Sequence, residues 1–284
     1  MSTDSVACKL LGYPQDARLL ILNADDFGMC QSINEAILRS LKDGVASSCT
    51  LMAPCPWGGD GLHRLEQDRT VSFGIHLTVI SEQPYYRWGP LSSREHVPAL
   101  VDDSGYFYSY DRIHEFIRQV SVEDLEREFR TQIDRVLATG LTPTHLDSHC
   151  HVHTRREDIF EMTFRLARKY GLALRANETA LIEKLRRQGL PANDHDVLDS
   201  YRLETADKSR TYERLLRELP EGLSEWAIHP GIGNSELRAM EPITWDVRQA
   251  DFDFFTSPQA REIIQKEGIL VLDYKPIQKL WETM

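Results

Sequence analysis

The segment near the start of the chain places the tightest constraint on the fold. Residues 18–24 form a nearly continuous apolar run that ends abruptly at Asp25 and Asp26. Such a run is typical of a parallel strand that is covered on both faces and whose carboxyl end opens into a site. The chain is therefore expected to fold as an α/β protein, with helices packed against a parallel sheet.

Strands and helices are predicted to alternate along the chain, which favours a parallel sheet that is either open or closed into a barrel. Residues 80–120 are rich in proline, glycine and aromatic residues and predict a long insertion after the third strand. Residues 189–205 give no clear prediction. The chain is expected to form a single domain over residues 1–284. Helices are predicted at 32–43, 61–67, 121–140, 156–170, 179–188, 208–219 and 257–267, and strands at 18–24, 45–52, 71–77, 145–153, 172–175, 224–228 and 269–272.

Composition and charge exclude several classes of protein. The 284 residues carry a formal net charge of −11, and no run of five basic residues offers a footprint for nucleic acid or an anionic membrane. No segment resembles a signal peptide or approaches the roughly 20 apolar residues that span a bilayer. The five cysteines lack zinc-ribbon spacing and are expected to be reduced thiols. A cytoplasmic, soluble protein is expected.

A histidine-rich run at 145–153 is the strongest signal of chemistry. Four of the ten histidines lie within these nine residues, together with Asp147. If the run were one extended strand, its alternate residues would project to the same side, and Cys150 would lie on the other side and pack. Imidazole suits zinc, iron or nickel, so this side would supply half of a metal site. The residues concerned are His145, Asp147, His149, His151 and His153.

Polar residues also occur at the carboxyl ends of the other predicted strands, which is where sites form in parallel sheets and barrels. Asp25 and Asp26 follow the first strand, His76 ends the third, Arg175 follows the fifth and His229 follows the seventh. Taken singly, the aspartate pair could be a helix cap, and His76 could be a buried histidine bonded to backbone. Their coincidence at strand ends instead predicts a hydrolytic metal site, with about three protein ligands drawn from separate strands.

Several motifs resemble those of the YdjC-like carbohydrate deacetylases, which include the chitooligosaccharide deacetylases. The resemblance covers roughly residues 18–275, and it implies a distorted, TIM-barrel-like (β/α) barrel, one divalent ion (Mg²⁺ or Zn²⁺) and hydrolysis of an N-acetyl group on an amino sugar. By motif position, it implies that Asp26, His76 and His149 are the metal ligands and that Asp25 is the catalytic base. The motifs are Asn-Ala-Asp-Asp-Phe-Gly at 23–28, Gly-Ile-His-Leu-Thr at 74–78, Pro-Thr-His-Leu-Asp-Ser-His-Cys-His-Val-His at 143–153, Leu-Arg-Ala at 174–176 and His-Pro-Gly at 229–231.

The remaining candidate residues follow from the chemistry of amide hydrolysis. The departing amine must be protonated, and His229 is the candidate acid, with His151 and His153 as rivals. Arg175 either stabilises the tetrahedral oxyanion or orients Asp25 through a bidentate ion pair. His145, Asp147, His151 and His153 are expected to be outer-shell groups or alternative ligands. The aromatic residues of the insertion form either a sugar-binding platform or the small core of the insertion, and the proposed substrate contacts are Tyr85, Tyr86 and Trp88.

Two other classes of function compete with the deacetylase. Histidine pairs at strand ends also occur in amidohydrolases and in PHP-type phosphoesterases, but a phosphoesterase would be expected to present several basic residues at the rim. A non-catalytic metal-storage or sugar-binding protein would have a fully ligated site without a spare carboxylate such as Asp25. The expected partners are a small amino sugar or oligosaccharide and, in a homodimer, a second copy of the chain.

Overall fold

The computed structural model of the chain describes residues 5–203 and 207–283. In this part of the chain, two strands have ten and seven residues, and the others have five or fewer. The strands are β1 Arg18–Phe27, β2 Ser48–Leu51, β3 Phe73–Leu77, β4 His145–Ser148, β5 Ala173–Leu174, β6 Leu198–Asp199, β7 Gly222–Ile228 and β8 Leu270–Val271. The helices are α1 Val6–Leu11, α2 Gln31–Lys42, α3 Gly58–Gln67, α4 Ile113–Gln119, α5 Val122–Leu137, α6 Glu157–Tyr170, α7 Thr179–Arg187, α8 Lys208–Arg217, α9 Ser235–Met240, α10 Trp245–Phe255, α11 Pro258–Lys266 and α12 Lys275–Thr283.

The strands form one parallel sheet in the order β5-β4-β3-β2-β1-β7-β6, and β8 adds to β1. β1 pairs with β7 from Arg18 to Ala24, with β8 at Leu19 and Leu20, and with β2 farther along, from Asn23 to Phe27. Nine of its ten residues are buried, as the apolar run predicts for a strand covered on both faces. The predicted parallel α/β architecture is therefore confirmed.

The sheet is strongly curled. Arg175 directly follows β5 and Glu225 lies on β7, five strands away in the sheet order, yet Arg175 Nε lies 2.6 Å from Glu225 Oε1. In a flat sheet, five strand spacings would separate these positions by about 24 Å. No ladder among the described residues joins β5 to β6, although the Val197 N–H donates to the Asn177 carbonyl at 3.1 Å. The ladders thus form a curled sheet and not the complete TIM-like barrel.

The helices are amphipathic and cover the outside of the curled sheet. α5 shows why the sequence predicts them well: the Ser121 side chain caps the helix by accepting from the Asp124 N–H, and acidic residues occupy the first turn. Leu125, Phe129 and Ile133 then recur on one buried face. None of the helices in the described ranges is both long and apolar enough to cross a membrane.

The structure departs from the predicted elements at three places. The predicted strand at 145–153 ends at Ser148, and His149–Thr154 forms a 3₁₀ turn. The stretch 189–205 contains β6, while its last two residues lie outside the described part of the chain. The sequence did not predict α1, α4, α9, α10 or α12. The insertion at 80–120 is confirmed as a long connection between β3 and α5, with three 3₁₀ turns and α4.

Gly74 on β3 offers a test of the packing inside the curl. A Cβ at this position would lie 2.5 Å from His145 Cε1 and 2.7 Å from the His145 carbonyl oxygen, and backbone cannot move aside cheaply. Gly74→Ala should therefore lower the free energy of unfolding by about 1–3 kcal/mol, measured by urea denaturation. Gly59→Ala is the matched control, because no atom lies within 4 Å of its added Cβ. Equal stability of the two variants would contradict the packing described for β3.

Candidate metal centre

Two consecutive carboxylates face the same region at the carboxyl end of β1. Successive side chains of a regular strand point to opposite faces, so Asp25 and Asp26 should diverge. The pairing of β1 with β2 is irregular between Ala24 and Phe27, and Asp26 adopts a left-handed φ of 73°. This break in the strand lets both carboxylates approach His76. Left-handed backbone is costly for a non-glycine residue and is concentrated at functional sites.

Asp26, His76 and His149 form a buried cluster of one oxygen and two nitrogens. Asp26 Oδ1 lies 3.4 Å from His76 Nε2 and 3.1 Å from His149 Nδ1. Ligand atoms held about 2.0–2.2 Å from one tetrahedral zinc ion are separated from each other by about 3.3–3.6 Å, close to these two distances. The three side chains therefore fit a single divalent ion, and they come from three separate strand ends. These are the three residues that the motif resemblance implies as ligands.

Each histidine of the cluster is held by a second carboxylate. The register of β3 and β4 places His76 opposite Asp147, and His76 Nδ1 lies 2.7 Å from Asp147 Oδ1. Burial favours the neutral imidazole, but Asp147 prevails and raises the pKa of His76 to about 9. His149 Nε2 lies 2.7 Å from Glu82 Oε2. Outer carboxylates orient metal-ligating histidines in this way, although Asp147 also forms a metal-competent group of its own with Asp25 and His76.

Asp26 is held by an arginine that the sequence did not point out. Arg248 Nη2 lies 2.8 Å from Asp26 Oδ2, which leaves Oδ1 for the cluster. Burial opposes ionisation of Asp26, but Arg248 keeps its pKa well below the usual value. Glu241 in turn accepts from both Arg248 Nε and Nη2 at 2.9–3.0 Å. The sequence did not predict α10, which carries Arg248. Glu82 lies in an insertion without a recognised motif. Neither residue could therefore be selected from the sequence.

Arg175 connects the two sides of the site. Its guanidinium makes a bidentate pair with Asp25, at 2.7 and 2.9 Å, and also lies 2.7 Å from Asp147 Oδ2. Although burial favours the neutral acid, Arg175 holds the pKa of Asp25 well below its usual range, with smaller contributions from His76 and then His229. Arg175 is itself only 1% exposed. Of the two roles predicted for it, the geometry matches the one in which Arg175 orients Asp25.

The histidine-rich run does not project from one face, which corrects the extended-strand prediction. Cys150 and His151 both adopt left-handed φ, 55° and 54°, so the side chains beyond Ser148 scatter. Cys150 packs against the hydrophobic core, as predicted, but its sulfur also lies close to His149.

The other three histidines of the run make separate contacts. His145 stacks on Tyr274, with ring centroids 3.5 Å apart, and burial lowers its pKa to about 3. His153 contacts Ser148 and the Arg175 carbonyl, and burial lowers its pKa to about 4. His151 Nε2 lies 3.0 Å from Asp199 Oδ2. Of the five candidates in the run, only His149 contributes a nitrogen to the Asp26 cluster.

His229 lies at the end of β7, half-buried at the rim of the site. Its Nδ1 is 2.9 Å from Ser200 Oγ, and its ring packs edge-on against Tyr201 at a centroid distance of 4.7 Å. Its backbone N–H donates to Asp251 at 2.7 Å. With Nδ1 engaged by Ser200, the free ring nitrogen of His229 is Nε2.

The aromatic candidates occupy very different environments. Tyr85 is fully exposed, whereas Trp88 is 3% exposed and donates from Nε1 to the Ile80 carbonyl. Tyr86 packs edge-on against Trp88, and its hydroxyl donates to the Met29 carbonyl. The Trp88 ring lies 6.4 Å from the His149 ring, so the insertion forms one wall beside the cluster.

Sequence comparison places the chain in a known family. The model of the YdjC-like protein family matches residues 19–266. The chain belongs to the YdjC-like family. Similar members include proteins named carbohydrate deacetylase from Enterococcus faecalis (31% identical, covering 91% of this chain and 97% of that one) and from Geobacillus stearothermophilus (31% identical, covering 93% and 99%). The matched segment contains the Asp26, His76 and His149 cluster.

Solved structures of other proteins share this fold. A crystal structure from Enterococcus faecalis V583, provisionally described as a cellobiose-phosphate cleavage protein, matches with a TM-score of 0.78 and 28% identity, covering 91% of this chain and 98% of that one. A CE4 family pseudoenzyme from Bacillus anthracis matches with a TM-score of 0.50 and 10% identity, covering 94% and 66%. This second likeness concerns the fold alone.

Arg248 provides a test of how Asp26 is held. Arg248→Lys keeps the positive charge but cannot hold Asp26 and Glu241 in the same fork, so it should weaken divalent-ion affinity by about 10–100-fold, as loss of an outer-shell partner does. Equilibrium dialysis would measure the change. Arg238→Lys is the control, because Arg238 is a surface residue that packs on Trp245. Unchanged affinity in Arg248→Lys would show that Arg248 does not position Asp26.

Proposed function

We propose that this protein is a metal-dependent hydrolase that removes N-acetyl groups from amino sugars or chitooligosaccharide-like glycans. The observation that carries the proposal is a buried Asp-His-His cluster with a separate ionised carboxylate, Asp25, beside it. Membership of the YdjC-like family and the names of its relatives, carbohydrate deacetylase, support this substrate class.

Asp26, His76 and His149 would hold the ion. Two imidazole nitrogens and one carboxylate oxygen suit Zn²⁺ better than Mg²⁺, which prefers oxygen ligands. An ion bound there would polarise the acetamide carbonyl and acidify a water molecule. Asp147 and Glu82 keep the two imidazoles oriented toward Asp26, and Arg248 restrains its carboxylate, so the residues require little rearrangement before the reaction.

Asp25 would accept the proton of the attacking water. The ion pair with Arg175 keeps Asp25 ionised and fixes the plane of its carboxylate. A carboxylate with so low a pKa is a weak base, and it takes a proton readily only from a strongly acidified water. Asp25 would therefore act as the base only when the cluster of Asp26, His76 and His149 holds an ion.

His229 would protonate the departing amine through Nε2, since Ser200 engages Nδ1. His151 and His153 are weaker candidates, because the two ring nitrogens of His151 already contact Asp199 and Asn177, and His153 is fully buried. Tyr85, Tyr86 and Trp88 would form the sugar-binding wall, with Trp88 packed edge-on against Tyr86.

The two arginines of the site, Arg175 and Arg248, both bind carboxylates, which argues against a phosphoesterase.

The first test separates metal ligand from base. Asp26→Ala should lose the ion, whereas Asp25→Asn should retain the ion and the fold but lose at least about 10²-fold of turnover. The experiment measures metal content in the wild type and both variants. It also measures the acetate that each releases from N-acetylated oligosaccharides when several divalent metals are supplied. Absence of acetate release by the wild type with every metal would overturn the deacetylase proposal. Loss of metal in Asp25→Asn alone would reverse the two roles.

The second test concerns the general acid. His229→Ala should reduce turnover of an N-acetyl substrate by about 10²-fold or more with metal content unchanged. An O-acetyl ester should be affected less, because an alkoxide leaves with less need of a proton than an amine does. Equal losses on amide and ester would assign His229 to positioning or oxyanion stabilisation, and no loss on either would remove it from the mechanism.

A further inference from the structure

A second group of metal-competent side chains lies beside the first and faces outward. One ligand atom each from Glu82, His149 and Cys150 lies within 4.8 Å of the other two. Glu82 and Cys150 are both partly exposed, so an ion from solvent can reach them. The first cluster, with Asp26 and His76, is fully buried, and the two clusters share only His149.

His149 can serve both groups because its two ring nitrogens face different carboxylates. Nδ1 lies 3.1 Å from Asp26 Oδ1, and Nε2 lies 2.7 Å from Glu82 Oε2. Nδ1 thus faces the first cluster, whereas Nε2 and Glu82 Oε2 are at hydrogen-bond distance, shorter than the roughly 3.3 Å that separates two ligands of one zinc ion. The outward nitrogen, Nε2, is therefore the one available to the second group.

The backbone explains why a thiol joins Glu82 and His149. Cys150 adopts a left-handed φ of 55°, which a cysteine rarely does, and His151 follows with 54°. In an extended strand Cys150 would point away from His149, but here its sulfur approaches the imidazole. Strained backbone persists where the surrounding structure holds it in place. Here the left-handed backbone of Cys150 places a thiol, which is a soft ligand, beside a carboxylate and an imidazole.

We infer that Glu82, Nε2 of His149 and the thiolate of Cys150 form a second metal site that takes a thiophilic divalent ion, with Zn²⁺ as the expected occupant. Thiolate ligands select zinc over magnesium, which prefers oxygen. The ligand atoms of a tetrahedral zinc site lie about 3.3–3.8 Å apart, so Glu82 would move slightly away from His149 as the ion enters, while the thiol, within 4.8 Å of both, needs only a small movement.

Binding at this site requires two deprotonations. Glu82, His149 and Cys150 would hold the ion, and one proton from Cys150 and one from His149 would pass to solvent on binding. No electrons are transferred. The inference does not depend on deacetylation, since it concerns metal occupancy alone.

Zinc stoichiometry, measured by equilibrium dialysis of the full chain, tests the inference. The wild type should bind two equivalents, and Cys150→Ser should bind one, with the affinity for the second equivalent weakened by at least about tenfold. Cys150→Asn should behave in the same way, and asparagine tolerates a left-handed φ, so failure to fold would not obscure the result. Excess Mg²⁺ should not displace the second equivalent from the wild type.

The matched control is Cys55→Ser, which removes another buried thiol outside the group of Glu82, His149 and Cys150 and should retain two equivalents. Substitution with Co²⁺ gives a second readout, a thiolate-to-cobalt charge-transfer band in the near ultraviolet. The band should be present in the wild type, Cys55→Ser and His76→Ala, and absent in both Cys150 variants. A wild type that binds one equivalent without the band, or a Cys150→Ser variant that keeps both, would overturn the inference. His76→Ala removes only the first site. A wrong assignment of the first site can therefore be distinguished from a wrong assignment of the second.

Discussion

The buried ion pairs of Arg175 are the interaction on which the rest of the structure depends. The guanidinium follows β5 and contacts Asp25 of β1, Asp147 of β4 and Glu225 of β7, so it ties together strands that a flat sheet would keep far apart. Removing one member of a buried ion pair costs about 3–5 kcal/mol, because the remaining charge is left unpaired. Tyr274 extends the group by donating to Glu225 at 2.5 Å. The curl of the sheet brings the strand ends together, and the site lies at those ends.

The candidate metal centre combines two kinds of local geometry. The regular register of the β3–β4 ladder is enough to place His76 beside Asp147, because the two residues are cross-strand partners. Irregular backbone is needed for Asp26 and Cys150, whose left-handed conformations each cost about 1–3 kcal/mol. All the left-handed non-glycine residues among the described positions belong to these two segments, so the strain is concentrated beside the cluster of Asp26, His76 and His149.

Each candidate ligand is also restrained from behind. Asp147 supports His76, Glu82 supports His149, and Arg248 supports Asp26. Restraint of this kind lowers the cost of ordering the ligands when the ion binds, and it distinguishes a prepared site from a chance cluster of polar groups. Glu82 comes from the insertion, which contains no recognised motif, and Arg248 comes from α10, which the sequence did not predict.

The sequence by itself determined the parallel α/β architecture, most helices and the set of strand-end residues, because apolar periodicity and abrupt polar ends are local signals. The motifs also pointed to Asp26, His76 and His149 before any distance was known. Only the tertiary structure decided that His145, His151 and His153 make other contacts, since a left-handed turn after Ser148 cannot be read from alternation. It likewise revealed the roles of Arg248 and Glu82. A side chain's partner across the sheet depends on curl and register, and these are set by packing over the whole chain and not by neighbours in sequence.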